Sequence, residues 1–209
     1  MAVTAYGLNC TLKAGPKASS TQKLLDQLMD AMAQHGVSGS TDRVVDFDIK
    51  PGVSHDEGDG DEWPAMRKKI MAADILVVAT PIWMGQPCSV SKRVLERMDA
   101  ILDDIDDAGR YPTFGKVAIV AVVGNEDGAH HVAAELYQAL ADVGFTIPGG
   151  SNTYWVGEAM GSKNYKDLKQ TPKKVAEATE TLASNAVHLA KLLKKSPYPS
   201  PDVSVPLAL

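Results

Sequence analysis

The amino-acid sequence predicts an α/β protein built on an open parallel sheet. Two continuous apolar runs, Ile75–Ala79 and Val117–Val123, lack the polar alternation of half-exposed strands and are typical of strands covered on both faces. Apolar residues at helical spacing follow each run, and the change of period is clearest after Ser89, where Val94 and Met98 share a face. A chain of 209 residues is long enough for one domain of this kind.

The composition argues against several classes of function. The chain has 21 basic and 26 acidic residues, and a net charge of −5 is unfavourable for binding nucleic acid or an anionic membrane. Cys10 and Cys88 are too few for a disulfide scaffold or a cysteine-rich zinc site, so we expect a reducing, cytoplasmic environment. The N-terminus lacks the pattern of a signal peptide, and no apolar run approaches the ~20 residues that span a bilayer.

The first strand is predicted over Val3–Leu8, and a polar loop, Asn9–Ser20, follows it. A helix with an apolar stripe comes next and ends at Gly36. Three hydroxyl residues can cap its first turn: Ser19, Ser20 and Thr21. The free amides of that turn also favour an anion, and Lys13 would add a positive charge. From these residues alone, a simple helix cap and a phosphate site both stay open.

The next part of the chain carries a second predicted strand, Arg43–Ile49, and a polar acidic loop, Lys50–Glu62. The acidic residues of this loop do not have the spacing of a calcium-binding EF-hand, so we interpret the loop as solvated. A short helix, Trp63–Ala72, leads into the first of the two apolar runs.

The segment Thr80–Pro87 is predicted to be a rigid loop, because two prolines and a glycine keep its backbone out of regular structure. It presents Trp83 at the carboxyl edge of the sheet, where open α/β sheets bind ligands. A single exposed aromatic is also common in proteins without a ligand. The helix that begins near Ser89 is expected to run to about Ile105.

The second apolar run ends in a turn-rich loop, Gly124–Gly128, whose small residues allow backbone amides to approach a planar ligand closely. A helix is predicted over His130–Ala141, and a last short strand lies within Thr146–Val156.

The final helix is predicted to run from Pro172 to Lys194. The tail that follows has four prolines and should be extended or disordered. We therefore expect one domain, residues 1–195, and a Pro-rich C-terminal tail, residues 196–209.

Three loops in combination resemble those of the flavodoxin-like NADPH-dependent FMN reductase family. In the first loop, Cys10-Thr11-Leu12-Lys13 and Ser19-Ser20-Thr21 stand where the family has Gly-Ser-x-Arg and Ser-x-Thr. The second, Thr80–Gly85 followed by Ser89, Lys92 and Asp99, is similar to the family's Thr-Pro-Ile-Tyr-Trp-Gly loop and its Ser-x-x-Lys helix ending in Asp. The third keeps part of a Gly-rich pattern at Gly124, Asn125 and Gly128. The resemblance covers about Val3 to Val156.

This resemblance implies a flavodoxin-like three-layer sandwich with a five-stranded parallel sheet of order 2-1-3-4-5, which binds FMN at the switch point between the first and third strands. By that likeness the phosphate would be held by Thr11, Lys13, Ser19, Ser20 and Thr21. The isoalloxazine ring would be covered by Pro81, Ile82, Trp83, Met84 and Gly85. Its pyrimidine rim would contact Gly124, Asn125, Glu126, Asp127 and Gly128.

The implied function is an oxidoreductase that passes hydride from NADPH or NADH through FMN to a small-molecule electron acceptor, such as a quinone or free flavin. The flavin would carry the chemistry, and we identify no catalytic side chain and no metal site. FMN is expected rather than FAD, because the first strand lacks the Gly-x-Gly-x-x-Gly turn of dinucleotide sites. The resemblance also implies a homodimer that builds the open side of the flavin from two subunits.

Two other functions stay open. One is a flavodoxin-type electron carrier, which would bind FMN without nicotinamide-dependent turnover. The other is a scaffold that has lost its cofactor, for which the departures from the family pattern at Cys10 and Lys13 leave room.

Overall fold

Five parallel strands and one short antiparallel strand form the sheet of this computed structural model, which describes residues 2–150, 152–158 and 161–200. The strands are β1 (Val3–Asn9), β2 (Val37–Arg43), β3 (Ile75–Trp83), β4 (Gln86–Pro87), β5 (Val117–Gly124) and β6 (Asn152–Val156). Their order is β2-β1-β3-β5-β6, and β4 pairs only with the end of β3. With the two-residue β4 left aside, this is the predicted 2-1-3-4-5 order, and the predicted flavodoxin-like fold is confirmed.

Five helices cover the two faces of the sheet. They are α1 (Ser20–Gln34), α2 (Trp63–Ala72), α3 (Ser89–Met98), α4 (Ala129–Asp142) and α5 (Lys173–Lys195). Leu24 of α1 and Leu182 of α5 belong to one buried cluster, whereas Met66, Val94 and Val132 of the other three helices belong to the second. The sheet lies between these clusters, as in a three-layer sandwich.

The topology brings the ends of the central strands together at one edge. From β1 the chain passes outward to β2 and then returns to β3 on the other side of β1. The register places Arg43, Asn9, Ala79, Ala121 and Thr153 level with one another across the sheet. The carboxyl ends of β1 and β3 therefore flank the switch point, where open α/β sheets form a crevice.

The prediction of a second strand over Arg43–Ile49 is wrong. The strand is Val37–Arg43, and Val44–Asp46 form a 3-10 turn after it. β2 is an edge strand in which only Val37 is buried, so it does not need the apolar run that marks the inner strands. The apolar residues assigned to the strand, Val44 and Ile49, instead pack into the cluster under α2 and α3.

The prediction of a rigid loop over Thr80–Pro87 is also wrong. β3 continues to Trp83, turns at two residues and returns as β4. Met84 has φ 55° and Gly85 has φ 72°, and this left-handed pair closes a two-residue hairpin. The helix after it is shorter than predicted, because α3 ends at Met98 and continues to Asp103 only as a 3-10 turn.

The described part of the tail, residues 196–200, has no helix or strand. The Tyr198 ring packs edge-on against Phe114, with 5.8 Å between ring centroids, and the hydroxyl of Thr146 donates to that of Tyr198 at 3.0 Å. Residues 201–209, to which the expectation of an extended tail also applies, lie outside the described residues. Within the described residues, no helix is long and apolar enough to cross a membrane.

Candidate functional site

A cavity of about 600 Å³ opens at the carboxyl edge of the sheet, where β1, β3 and β5 end. The sequence-predicted residues on its wall are Thr11, Lys13, Ser19, Ser20, Thr21, Pro81, Ile82, Trp83, Gly124, Asn125, Glu126 and Asp127. Met84, Gly85 and Gly128 do not line it. The three loops singled out from the sequence thus meet at one site.

One end of the cavity is the start of α1. Ser19 caps this helix with an extended backbone, and its Oγ accepts a hydrogen bond from the amide of Gln22 at 3.2 Å. The amides of Ser20 and Thr21 in the same turn find no acceptor within the described part of the chain. Free amides at a helix start, together with the helix dipole, favour an anion.

The hydroxyl groups at this end are arranged as donors. Thr11 Oγ1 accepts from the amide of Lys13 at 3.4 Å, and Ser20 Oγ accepts from the amide of Lys166 at 3.2 Å. Ser19 Oγ is used in the same way, so in all three side chains the oxygen accepts from the backbone. The O–H hydrogen of each group is then free to be donated to a ligand.

Asn9, which the sequence analysis did not select, fixes the start of this loop. It is fully buried, its Oδ1 accepts from the amide of Thr11 at 3.0 Å, and its Nδ2 donates to Gln22 Oε1 at 2.6 Å. One side chain therefore ties the loop after β1 to α1. The sequence does contain a signal for this role, since Asn9 is a polar residue at the end of an otherwise largely apolar strand.

The hairpin between β3 and β4 forms the opposite side of the site. Trp83 is 53% exposed on the cavity wall, and Met84 at the tip is 90% exposed. The Glu126 carboxylate accepts hydrogen bonds from the amides of Met84 at 3.0 Å and Gly85 at 3.3 Å. Gly128 also lies close to this turn, because a Cβ on Gly128 would be only 3.0 Å from the backbone of Gly85. Met84 and Gly85 therefore form the hairpin turn, Gly128 packs against it at the start of α4, and none of the three lines the cavity.

The floor between these two sides is apolar and closely packed. Ile82 is buried, and Val123 lies beside it on the wall. A Cβ on Gly124 would come within 2.8 Å of the Ile82 Cβ, so only glycine lets β5 end this close to β3. A flat apolar floor next to backbone amides suits a planar aromatic ligand.

A further wall was missed by the sequence analysis. Gly161 and Asn164 line the cavity, and Asn125 Nδ2 donates to Asn164 Oδ1 at 3.4 Å. Lys23 Nζ holds this segment to α1 by donating to the carbonyls of Tyr165 at 3.2 Å and Leu168 at 2.8 Å. The segment has no helical or strand period, and its place depends on contacts that are distant in sequence.

Two buried thiols lie beneath the loop after β1. The Cys88 thiol donates to the carbonyl of Cys10 at 2.8 Å. Burial raises the pKa of the Cys10 thiol well above its ordinary value, and the neighbouring Cys88 raises it further. Cys10 is therefore protonated at neutral pH and is a poor nucleophile. Among the described residues, no group of three or more His, Cys, Asp and Glu side chains is placed to hold a metal ion.

Comparison with known proteins gives a family and two relatives. Residues 6–161 match the family described as NADPH-dependent FMN reductase. The chain is 34% identical over 213 residues to 8-demethyl-8-aminoriboflavin-5'-phosphate synthase of Streptomyces davaonensis, covering 95% of this chain and 81% of that protein. It is also 34% identical over 209 residues to a Mycobacterium bovis protein named divalent metal cation transporter MntH. That match covers 97% of this chain and spans only 30% of the M. bovis protein.

One solved structure agrees with this assignment, and a second shares the fold. The crystal structure of RosB with the bound intermediate 8-demethyl-8-formylriboflavin-5'-phosphate superimposes with a TM-score of 0.85 at 33% identity, covering 94% of this chain and 82% of that one. A flavodoxin from the domain Archaea matches with a TM-score of 0.58 at 8% identity, covering 90% of this chain and 99% of that one. The second likeness concerns the fold alone.

Proposed function

Because the chain belongs to the NADPH-dependent FMN reductase family, we propose that it binds FMN in this cavity and passes hydride from NADPH or NADH to a small acceptor such as a quinone or free flavin. The observation that carries the proposal is the juxtaposition, at the switch point of the sheet, of a donor-rich helix start with an apolar floor.

The donor set at the helix start fits a terminal phosphate. The amides of Ser20 and Thr21 and the O–H groups of Thr11 and Ser19 would donate to the phosphate oxygens, and Lys13 would supply a cation. No acidic side chain pairs with Lys13 in the described residues, so its charge is available to the ligand.

The other end of the site fits the ring. Ile82 and Trp83 would cover it, while the loop from Gly124 to Asp127 would contact its polar edge. When bound, FMN supplies the group that accepts and releases hydride, and the protein supplies orientation and electrostatics. The Glu126 carboxylate accepts hydrogen bonds from the two amides that follow Trp83 and so ties the loop after β5 to the hairpin.

We also propose that the protein is a homodimer. Four apolar side chains are exposed near this edge of the sheet: Leu12, Trp83, Met84 and Val156. Exposed apolar side chains at one edge of a protein are typical of an interface, and a second subunit placed there would complete the open side of the site. A reducing, cytoplasmic location is proposed because Cys10 and Cys88 are both free thiols.

A second candidate function has FMN as the substrate. The S. davaonensis relative is named as a synthase of 8-demethyl-8-aminoriboflavin-5'-phosphate, and its likeness extends over 95% of this chain. A chain of this kind would chemically alter the flavin in the same cavity instead of using it as a resident cofactor.

The test separates these functions with one preparation. FMN-loaded protein is mixed with NADPH or NADH under air, with and without a benzoquinone, and the absorbance of the reduced nicotinamide is followed beside an equal amount of free FMN. Steady oxidation above the free-FMN rate supports the reductase. A single stoichiometric bleaching supports the electron carrier, and no oxidation contradicts the proposal.

The released flavin is analysed after the same incubation. Chromatography as FMN is expected, and migration as FAD would contradict the proposed cofactor. In a parallel incubation under air, an ammonium salt is added as a source of nitrogen for an amino group. A change in the mass of the flavin there would support the second candidate, and an unchanged mass would count against it.

A further inference from the structure

The loop that would receive the phosphate is not fixed by burial. Thr11 and Ser19 at its two ends are buried, but every residue from 12 to 18 is exposed. An exposed loop without packed side chains has many accessible conformations, and ordering it costs conformational entropy. Its shape therefore depends on the hydrogen bonds that reach it from elsewhere.

Arg43 provides two of these hydrogen bonds. It is the last residue of β2, level with Asn9 at the end of β1. Its Nη1 donates to the carbonyl of Lys13 at 3.1 Å and to the carbonyl of Lys17 at 2.9 Å. One guanidinium nitrogen thus bridges two carbonyls four residues apart and draws both sides of the loop together.

Asp46 provides a third hydrogen bond, at the middle of the loop. Its Oδ1 accepts from the amide of Gly15 at 2.8 Å, and a Cβ on Gly15 would lie only 3.0 Å from Asp46 Oδ2. Within the loop itself, the amide of Lys17 donates to the carbonyl of Ala14 at 3.2 Å. Arg43 and Asp46, which we call the β2 clamp, therefore hold three points of the loop from outside.

The loop and the β2 clamp together carry three basic side chains. Lys13, Lys17 and Arg43 form no ion pair in the portion of the chain that is described, although the protein carries a net charge of −5. The Asp46 carboxylate offsets one of these three positive charges, so the loop and the clamp together keep a net positive charge that suits an anion. The clamp thus prepares a positive loop next to the free amides of α1.

We propose that Arg43 and Asp46 are positioning residues that shape the loop for a terminal phosphate and so make the site prefer FMN to riboflavin. This inference rests on the proposed FMN site. Neither residue lines the cavity, so both act through the backbone of residues 13–17.

The experiment compares FMN with riboflavin, which lacks only the phosphate. Both are titrated against flavin-free protein by the loss of flavin fluorescence. Arg43→Gln should weaken FMN binding by about tenfold, the usual effect of losing a charge-assisted contact, and should leave riboflavin binding unchanged. Arg110→Gln is the matched control, because Arg110 pairs with Asp106 in the segment before β5, at the opposite edge of the sheet.

Two variants of Asp46 provide a second, independent test. Asp46→Asn keeps the acceptor for the Gly15 amide and should bind FMN nearly as well as the original protein, whereas Asp46→Ala should lose affinity for FMN alone. Amide hydrogen exchange without flavin provides a readout of loop order. The amides of residues 13–15 and 17 should exchange faster in Arg43→Gln and Asp46→Ala than in the unchanged protein. Their exchange rates should not change in Asp46→Asn. The Asp46 pair carries the test if Arg43→Gln does not fold.

The results distinguish a failure of the β2 clamp from a failure of the proposed FMN site on which it depends. If the unchanged protein binds FMN no more tightly than riboflavin, the proposed phosphate site fails. If it prefers FMN and both clamp variants keep that preference, the proposed function stands and the clamp is overturned. Equal losses for FMN and riboflavin would also overturn the clamp, because they would indicate a general loss of structure.

Discussion

At the scale of single residues, the three tryptophans occupy very different environments. Trp83 is half-exposed on the cavity wall, and Trp63 is fully buried beside Arg97, whose guanidinium lies 5.6 Å from its ring. Trp155 does not line the cavity and packs on Tyr165, with 5.4 Å between ring centroids. Only Trp83 is thus placed to contact a ligand directly.

We predict that Trp83→Ala removes the largest part of the tryptophan quenching that follows FMN binding. The same change should weaken FMN binding by about 0.5–1.5 kcal/mol, the usual value of an aromatic contact beyond its buried area. The fold should persist, because β3 is held by the strands on both sides of it. Fluorescence titration measures both effects.

Trp155→Ala is the control for this prediction, since it removes a tryptophan that does not reach the cavity. It should keep most of the quenching and the original FMN affinity. Unchanged quenching and affinity in Trp83→Ala would show that the hairpin does not cover the flavin.

At the scale of elements, the sequence signal is strongest for the strands that are buried on both faces. β3 and β5 must be apolar at nearly every position, so they leave a continuous run. β2 has one buried residue and leaves no such pattern. The sequence predicts a loop in place of the hairpin, because its prolines conceal the two-residue turn at Met84 and Gly85, which depends on backbone conformation.

Some residues of the candidate site could likewise be predicted from sequence, and others could not. Hydroxyls and a lysine beside a helix start are a local pattern, so Thr11, Lys13 and Ser19 could be selected from sequence. Asn164 and Arg43 owe their places to hydrogen bonds that join distant segments, and no local pattern records such contacts.

The acidic loop before α2 is another element whose interpretation changes. The sequence predicts a solvated loop, yet Asp61 and Arg97 form an ion pair of 2.7 Å in which both side chains are fully buried. Arg97 also donates to the carbonyls of Lys50 and Ser54, at 3.0 Å each. α3 therefore organises this loop through one buried arginine.

We predict that Arg97→Met destabilises the protein by about 3–5 kcal/mol, because it leaves the Asp61 carboxylate buried without a positively charged partner. Urea denaturation at neutral pH measures the loss. Arg93→Met is the control, since Arg93 is exposed on the same helix and makes one hydrogen bond to the carbonyl of Ile49.

The ion pair between Asp61 and Arg97 also makes the free energy of unfolding depend on pH. Burial opposes ionisation of Asp61, but hydrogen bonds from the Glu57 amide, the Arg97 guanidinium and two further amides outweigh it and lower its pKa to about 2. A depressed carboxyl pKa stabilises the fold above the unfolded value of about 4, and this stabilisation is lost as the pH falls toward 2. The free energy of unfolding should therefore fall less steeply over that window in Asp61→Asn. Identical acid dependence in the two proteins would mean that Asp61 is not the group responsible.

At the scale of the whole molecule, the cavity gathers segments from most of the chain. Its walls come from the loop after β1, the end of β3, the loop after β5 and the segment around Asn164. Exposed apolar side chains concentrate near the same edge, at Leu12, Trp83 and Val156, with Met84 the most exposed of all. An edge that carries both the ligand site and several exposed apolar side chains is expected to be covered in the working assembly.

We predict that the protein is a dimer in solution, with a mass about twice the 22.3 kDa of one chain. Met84→Asn should shift it toward the monomer, because the change removes the exposed apolar side chain while asparagine tolerates the left-handed backbone at this position. Ile105→Asn is the matched control, since Ile105 is an exposed apolar residue that follows α3 and does not line the cavity. Gel filtration with light scattering at micromolar concentration measures the mass. A single-chain mass for the unchanged protein would contradict the dimer, and an equal effect of both variants would place its interface away from the hairpin.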